Sequence, residues 1–260
     1  MMPNESLAGR RATEVAEAPA CERCRHAEAL LATGACHPRE ACALAPSGRR
    51  MERFFRLHPQ EAASYLADGH WERRAIAARH APLESIAPLV DDDDEAVRRV
   101  LATRLPPDQL VMLMRDPDRE VRISVAQRLA PENLMPLAQD PDYMVRVMVA
   151  RRLPHGKLPR LVADPEREVR KAVARRLPAF ALGRLMFDRE AEVRRIVAGR
   201  ALADDAERML GDDDWLVRLA AIGRAPAGAA RRHLDDPEAE VRQAAWLRLQ
   251  QGSADTEHHA

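Results

Sequence analysis

The strongest constraint in this sequence is a strict internal repeat of 24 residues. Val-Arg dipeptides recur at this interval without an insertion, at Val97-Arg98, Val121-Arg122, Val145-Arg146, Val169-Arg170, Val193-Arg194, Val217-Arg218 and Val241-Arg242. An aspartate recurs with the same period at Asp68, Asp92, Asp116, Asp140, Asp164, Asp188, Asp212 and Asp236. A single unit of this length cannot bury its own apolar face, so successive units stack. The pattern therefore predicts a solenoid of eight units over residues 68–251.

The first half of each unit is predicted to be a helix of about three turns. In the unit "DPEREVRKAVARRLPAFALGRLMF", residues 164–187, Asp164 is a suitable N-cap and Pro165 fits the first helical turn. Val169, Val173 and Leu177 follow at spacings of four, which places them on one helical face. The next residue is a proline, which disfavours a longer helix.

The second half of each unit is predicted to be a short helical element. In the same unit, about ten residues remain, and their apolar positions Leu182 and Leu185 are three apart, as in a 3₁₀ turn. A strand is rejected because the corresponding segments contain internal prolines and do not alternate. The predicted fold class is therefore all-α, a solenoid whose 24-residue repeats each join an α-helix to a short 3₁₀ or α element, with no β-sheet.

The composition agrees with a soluble helical repeat. Aromatic residues make up only 3% of the chain, so the core must consist of Leu, Val, Ala and Met. The 41 basic and 41 acidic residues cancel, so the overall charge attracts neither nucleic acid nor an anionic membrane. The chain has no apolar leader segment and no apolar run near the ~20 residues that span a bilayer. We expect a cytoplasmic protein with no membrane association.

All four cysteines lie within the first 42 residues, at Cys21, Cys24, Cys36 and Cys42. In a reducing compartment such a cluster favours a metal site over two disulfides. The spacing C-x2-C-x11-C-x5-C gives four ligands for one centre, but it matches neither paired zinc knuckles nor the ferredoxin runs. Neighbouring basic groups could offset the charge of either centre; they are Arg23, Arg25, His26, His37, Arg39, Arg49 and Arg50. Spacing alone leaves zinc and an iron-sulfur cluster nearly level.

A repeat of the form D-P-[DE]-x-x-V-R-x-x-V-A-x-R-L-P-x-x-x-L-x-x-L behind a four-cysteine module resembles the leucine-rich repeat variant family. The resemblance covers nearly the whole chain. It implies a right-handed superhelix of alternating α- and 3₁₀-helices, fronted by a small iron-sulfur domain, in bacteria where the gene is associated with nitrogen fixation. It also implies that Cys21, Cys24, Cys36 and Cys42 ligate a 4Fe-4S cluster, with zinc as the alternative. The family brings no molecular activity with it.

These observations predict five segments. A flexible N-terminus (1–19) precedes the four-cysteine iron-sulfur domain (20–43). A degenerate first repeat or cap (44–67) follows, in which Arg50, Arg56, Leu57 and Tyr65 occupy the Arg, Arg, Leu and Leu positions of the repeat. Eight repeats (68–251) and a disordered tail (252–260) complete the chain.

Two rows of basic residues run along the repeats. The first row is Arg74, Arg98, Arg122, Arg146, Arg170, Arg194, Arg218 and Arg242, and the second is His80, Arg104, Arg128, Arg152, Arg176, Arg200, Arg224 and Arg248. We expect the first row to pair with the repeat aspartates, because arginine and aspartate recur in step and can bond bidentately. Residues 140–187 carry eleven Arg and Lys against five Asp and Glu, which leaves nucleic-acid binding open as a less favoured alternative.

The sequence contains no nucleotide-binding loop, zinc-protease motif or nucleophile elbow, so an enzyme is not expected. The acidic run "DDDD", residues 91–94, falls at a helix start, where acidic residues favour the helix dipole. The leading hypothesis is an iron-sulfur protein that transfers electrons or senses redox state, with a solenoid that binds another protein. A structural scaffold with a metal cap and a nucleic-acid-binding module are the alternatives. The partner and the oligomeric state are not specified by the sequence.

Overall fold

The structure, a computed structural model, describes Cys21 and residues 24–257, without the side chains of 252–257. Its α-helices are α1 (Gly48–Leu57), α2 (Trp71–His80), α3 (Leu83–Ile86), α4 (Glu95–Arg104), α5 (Arg119–Arg128), α6 (Tyr143–Arg152), α7 (Arg167–Arg176), α8 (Ala191–Ala198), α9 (Ala203–Met209), α10 (Trp215–Ile222) and α11 (Ala239–Glu257). The chain divides into two compact units between Val125 and Ala126. None of these helices is long and apolar enough to cross a bilayer.

Short 3₁₀ segments follow most of the helices. They are Pro59–Tyr65, Ala87–Asp91, Leu110–Leu113, Pro131–Asn133, Met135–Gln139, His155–Leu161, Ala179–Ala181, Gly183–Phe187 and Ala227–His233. The unit that begins at Asp188 differs, since Leu202 replaces proline and the good helix formers of "ADDAERM" form α9 instead. The described residues contain no strand, and an isolated bridge joins His37 to Ala41. The predicted all-α repeat of an α-helix and a short 3₁₀ or α element is confirmed.

The predicted apolar stripe forms the core. The first stripe position is fully buried in every unit from the second to the eighth, at Val97, Val121, Val145, Val169, Val193, Val217 and Val241. Helices of consecutive units pack together, as α2 does on α4 and α6 on α7. Each unit therefore completes its core with the next one, as the repeat length requires.

The predicted helix start was wrong by two residues, since the N-cap is Glu166 and not Asp164. α7 begins at Arg167, and Asp164 lies before it, where its Oδ1 accepts the backbone N–H of Glu166 at 2.9 Å. Where an acidic side chain does cap a helix, it stands two residues after the repeat aspartate, as Asp142 and Asp214 do. The repeat aspartate forms a turn before the helix, because its carboxylate is also held by the preceding unit.

The structure differs from two further expectations, one at each end of the repeat array. α11 runs to Glu257, through the first residues of the predicted tail, because Gln250 stands where other units have the proline that ends the helix. In the degenerate first repeat (44–67), α1 begins one residue later in the repeat than α7 does. Leu57 is consequently 55% exposed, and Phe54 and Phe55 are buried instead.

The first arginine row pairs with repeat aspartates, as predicted; the sequence left open whether the partner lies in the same or the neighbouring unit, and the following pairs join consecutive units. Arg170 donates from Nε and Nη2 to the two carboxylate oxygens of Asp188, at 2.6 and 2.9 Å. Its Nη1 also donates to the backbone carbonyl of Asp164 in its own unit, at 2.8 Å. The same bidentate arrangement is found for Arg74–Asp92, Arg98–Asp116, Arg146–Asp164, Arg194–Asp212 and Arg218–Asp236.

The second arginine row binds the helix end of the preceding unit. Arg176 donates from Nη1 to the carbonyl oxygens of Ala150 and Leu153, at 3.0 and 2.6 Å. Arg104 and Arg152 make the equivalent bonds at their own positions. A cation at a helix C-terminus satisfies carbonyls that have no partner within the helix and favours the helix dipole.

Breaking one inter-unit pair should destabilise the protein strongly. The Arg170 and Asp188 side chains are only 6% and 4% exposed, so Asp188→Asn leaves a buried guanidinium without its counter-charge. We expect the free energy of unfolding to fall by about 3 kcal/mol. Arg167 lies in the same unit as Arg170, and its side chain is 52% exposed. Arg167→Gln should change the free energy of unfolding by less than about 0.5 kcal/mol. Urea unfolding of both variants checks this, and equal losses would contradict it.

Acid should unfold the array through the same carboxylates. Arg218 bonds Asp236 and lowers the pKa of that carboxyl. For Asp188, burial by itself raises the pKa, but the bonds from Arg170 and from the backbone of Glu190, with the charges of Arg170 and Arg189, together lower it. A lowered native pKa gives stability that is present at neutral pH and is lost as pH falls below about 4. Urea unfolding between pH 7 and pH 3 should show this loss. Asp188→Asn should lose less stability over that range than the unaltered chain.

Candidate metal centre

A tight loop carries the chain from Cys24 to Cys36. Cys24 donates its N–H to the carbonyl of Cys21 at 3.1 Å, and a single π turn, Ala27–Leu31, follows. The loop then reverses at Gly34, whose φ of 72° is left-handed. The N–H groups of Gly34 and Ala35 bond the carbonyls of Leu31 and Leu30, which is the Schellman pattern that favours glycine.

The second half of the module is tied to helix α1. The isolated bridge between His37 and Ala41 closes the turn between the last two cysteines. Cys42 donates its N–H to the carbonyl of Arg50 at 3.3 Å, which fixes that cysteine against α1. The backbone groups of Leu44 and Ala45 hydrogen-bond the Cys42 sulfur and oppose the rise of its pKa.

The fold brings the four predicted ligands into one electrostatic neighbourhood. All four are free thiols; Cys42 is buried and the other three are partly exposed. The pKa of Cys36 is raised by burial and then by the charges of Cys42, Cys24 and Cys21. The pKa of Cys42 is raised by burial and by Cys21 and Cys24. Four thiolates at this place would repel one another, and a shared cationic centre is what would stabilise them together.

The four cysteine sulfurs are not arranged as a closed site for a single metal ion. Within Cys21 and residues 24–257, no group of three or more His, Cys, Asp or Glu side chains is arranged to hold one metal ion. The donor chemistry is nevertheless that of thiolate ligation, since four cysteines lie close enough for Cys36 to interact electrostatically with the other three. The residues present therefore fit a sulfur-ligated cluster.

An aromatic cluster backs the cysteine module. Phe54 and Phe55 of α1 meet edge to face at 5.3 Å between ring centroids, and Tyr65 packs on Phe55 at 5.1 Å. From the cysteine side, His26 lies 5.0 Å from Phe54 and hydrogen-bonds the Tyr65 hydroxyl through Nε2 at 2.8 Å. His58 completes it with a 2.8 Å bond from Nε2 to the carbonyl of Ala35. The cysteine module thus packs on the degenerate first repeat (44–67) through aromatic and histidine rings.

The basic residues flagged in the sequence have different roles. Arg25 stacks over the Tyr65 ring at 5.6 Å, and His26 is buried, which lowers its pKa. Arg39 and His37 are exposed. Arg23 lies outside the described residues.

Sequence reasoning missed the aromatic cluster and the Gly34 turn. The sequence did indicate the aromatic cluster, because three of the nine aromatic residues fall within residues 54–65. The short run Thr33-Gly34 between two cysteines was the corresponding signal for a left-handed turn.

Family models match both parts of the chain. A model described as "LRV protein FeS4 cluster" matches residues 16–64, and one described as "Leucine rich repeat variant" matches residues 167–190. A curated relative, an uncharacterized 27.7 kDa protein in the nifB 3' region of Rhodobacter capsulatus, is 41% identical over 78 residues. That match covers 30% of this chain and 31% of the relative's length.

A solved structure resembles nearly the whole chain. It is described as a leucine-rich repeat variant with a novel repetitive protein structural motif, and the two chains are 52% identical. The match covers 88% of this chain and 97% of the other, with a TM-score of 0.83. Fold, repeat and sequence agree over this length, and the chain therefore belongs to the leucine-rich repeat variant family.

Proposed function

We propose that this chain is a non-enzymatic redox protein of the cytoplasm. In this proposal, a 4Fe-4S cluster is held by Cys21, Cys24, Cys36 and Cys42, and the repeats supply a surface for a partner protein. The observation that carries it is the electrostatic proximity of four free thiols in the segment that the iron-sulfur family model matches. When bound, a cluster of this kind supplies one-electron chemistry at a potential set by its surroundings.

The chain's own residues would control those surroundings. The four thiolates provide the negative charge of the ligand set, and the backbone groups at Leu44 and Ala45 offset part of it at Cys42. Phe54 and Tyr65 keep one side of the module apolar, and burial holds the Tyr65 hydroxyl protonated by raising its pKa. Sulfur hydrogen bonds and low exposure are two of the means by which proteins tune a cluster.

A link to nitrogen fixation is part of the proposal. It is supported by the partial relative in the nifB 3' region of Rhodobacter capsulatus. We expect the transcript of this chain to rise when its host cell fixes nitrogen, as measured against growth on ammonium.

Nucleic-acid binding is less favoured, because much of the basic patch has structural roles. Arg146 and Arg170 bond carboxylates of the following units, and Arg152 and Arg176 bond helix-end carbonyls. Guanidinium groups committed in this way have few donors left for phosphates. A filter-binding assay with duplex DNA should consequently show weak binding without a steep salt dependence.

Metal analysis tests the cluster directly. Protein purified without oxygen should contain about four iron and four sulfide per chain and show a paramagnetic signal that changes on reduction. Cys24→Ser should lose most of the iron, whereas Glu28→Gln, an exposed change in the same loop, should keep it. Zinc in place of iron would contradict the cluster. A full cluster that cannot be reduced reversibly would contradict the redox role and favour a structural cap.

We expect the turn at Gly34 to keep Cys36 in position to bind the cluster. A Cβ at Gly34 meets nothing within 4 Å, so any cost of Gly34→Ala comes from its left-handed backbone alone. We expect that variant to lose about 1 kcal/mol of local stability and to release iron faster to a chelator. Gly34→Asn should retain iron better, because asparagine tolerates this conformation. Equal iron release by both variants would contradict this explanation.

A further inference from the structure

A third arginine row, at a repeat position other than the first two, lies between the α-helices. Its members follow one another every 24 residues in four consecutive units, at Arg160, Arg184, Arg208 and Arg232. All four side chains are exposed, whereas the first two rows are buried or half-buried apart from Arg224 and Arg242. We call these four residues the exposed arginine row.

The exposed arginine row does not hold neighbouring units together as the first two rows do. Arg160 and Arg184 have no carboxylate partner within the part of the chain that the structure describes. Arg208 lies 3.5 Å from Asp205 and Arg232 lies 2.6 Å from Glu207, both as surface pairs with the arginine about 70% exposed. Exposed pairs of this kind add little stability. The regular spacing of the row is therefore not explained by folding.

Two phenylalanines accompany the row. Phe180, in the segment Ala179–Ala181, and Phe187, in the segment Gly183–Phe187 that also contains Arg184, are 80% and 84% exposed. Burying a side chain of this size would stabilise the fold by about 2 kcal/mol, and each of these exposed phenylalanines lacks that stabilisation. Aromatic residues and arginine are enriched where proteins bind one another.

Grooves lie beside three members of the row. Arg184 lines one groove with Arg189 and Leu185, and Arg208 lines the next with Phe187 and Met209. Arg208 and Arg232 together line a third. The groove at Arg208 combines apolar lining from Met186, Phe187 and Met209 with charged lining from arginine and aspartate side chains.

We propose that the exposed arginine row, with Phe180 and Phe187, binds an acidic segment of a partner protein that carries an apolar anchor residue. Carboxylates of that segment would bond Arg160 and Arg184, and the anchor would pack against Phe187 and Met209. This inference rests on the proposed role of the repeats as a protein-binding surface and identifies the chemistry of the partner.

A peptide fits this surface better than a nucleic acid does. The grooves also contain the exposed carboxylates of Asp204 and Asp213, which would repel a phosphate backbone that runs continuously along them. A peptide can place its few carboxylates at the guanidinium groups and its apolar atoms over the phenylalanines. Charge complementarity then provides orientation, and the aromatic contact provides burial.

A displayed library of random 16-residue peptides, selected on the anaerobically purified full chain, tests the proposal. Enriched peptides should combine several acidic residues with one aromatic or aliphatic residue. The dissociation constant of an enriched peptide, measured by fluorescence anisotropy, should rise about tenfold for Arg160→Gln/Arg184→Gln and for Phe180→Ser/Phe187→Ser. All these residues are exposed, so unchanged circular dichroism is expected.

The chain offers a matched control for charge. Arg151 and Arg175 are also exposed, also 24 residues apart and in the same two units, but they lie on α6 and α7. Arg151→Gln/Arg175→Gln removes the same net charge and should leave the dissociation constant within about twofold. Equal weakening by both double variants, enrichment of peptides without acidic residues, no enrichment at all, or tighter binding of duplex DNA would each overturn the proposal. Because iron and sulfide are measured on the same sample, such an outcome is distinguishable from failure of the cluster.

Discussion

The bond between an arginine of one unit and the aspartate of the next is the interaction on which the rest of the repeat structure depends. Arg146 shows all of its parts: two donors bind the carboxylate of Asp164, and a third binds the carbonyl of Asp140 in its own unit. The guanidinium thus fixes the distance between consecutive turns of chain. The apolar stripes set how strongly the units adhere, and the ion pair sets their register.

This constraint explains the rigid 24-residue period. An insertion anywhere between Arg170 and Asp188 would move the carboxylate away from its planar donor and leave two charges buried. The same aspartate accepts the N–H of Glu190 and so shapes the turn that begins the next helix. One residue therefore links stacking between units to local folding within a unit, and this double role accounts for its N-terminal offset from the helix.

The cysteine module is held by different interactions, because it lies outside the eight repeats and packs on the degenerate first repeat through aromatic and histidine rings. Tyr65 contacts His26 by a hydrogen bond, Arg25 by cation–π stacking and Phe55 by edge packing. Most of the aromatic residues that the chain buries are concentrated at this junction, while the repeats use aliphatic side chains. Phe180 and Phe187 contrast with them, since they are exposed between grooves lined by arginine.

The sequence by itself determined the period, the apolar stripe, the pairing of the first arginine row and the four cysteines, because each is a repeated or clustered pattern of residue types. The tertiary structure decided where each helix starts, since Asp164 is drawn toward Arg146 rather than into its own helix. It also decided that Arg176 binds carbonyls of another unit while Arg160 does not, although both belong to regular rows. Whether a periodic arginine is buried against a helix end or left in water depends on the path of the neighbouring unit, which residue spacing along one chain segment does not contain.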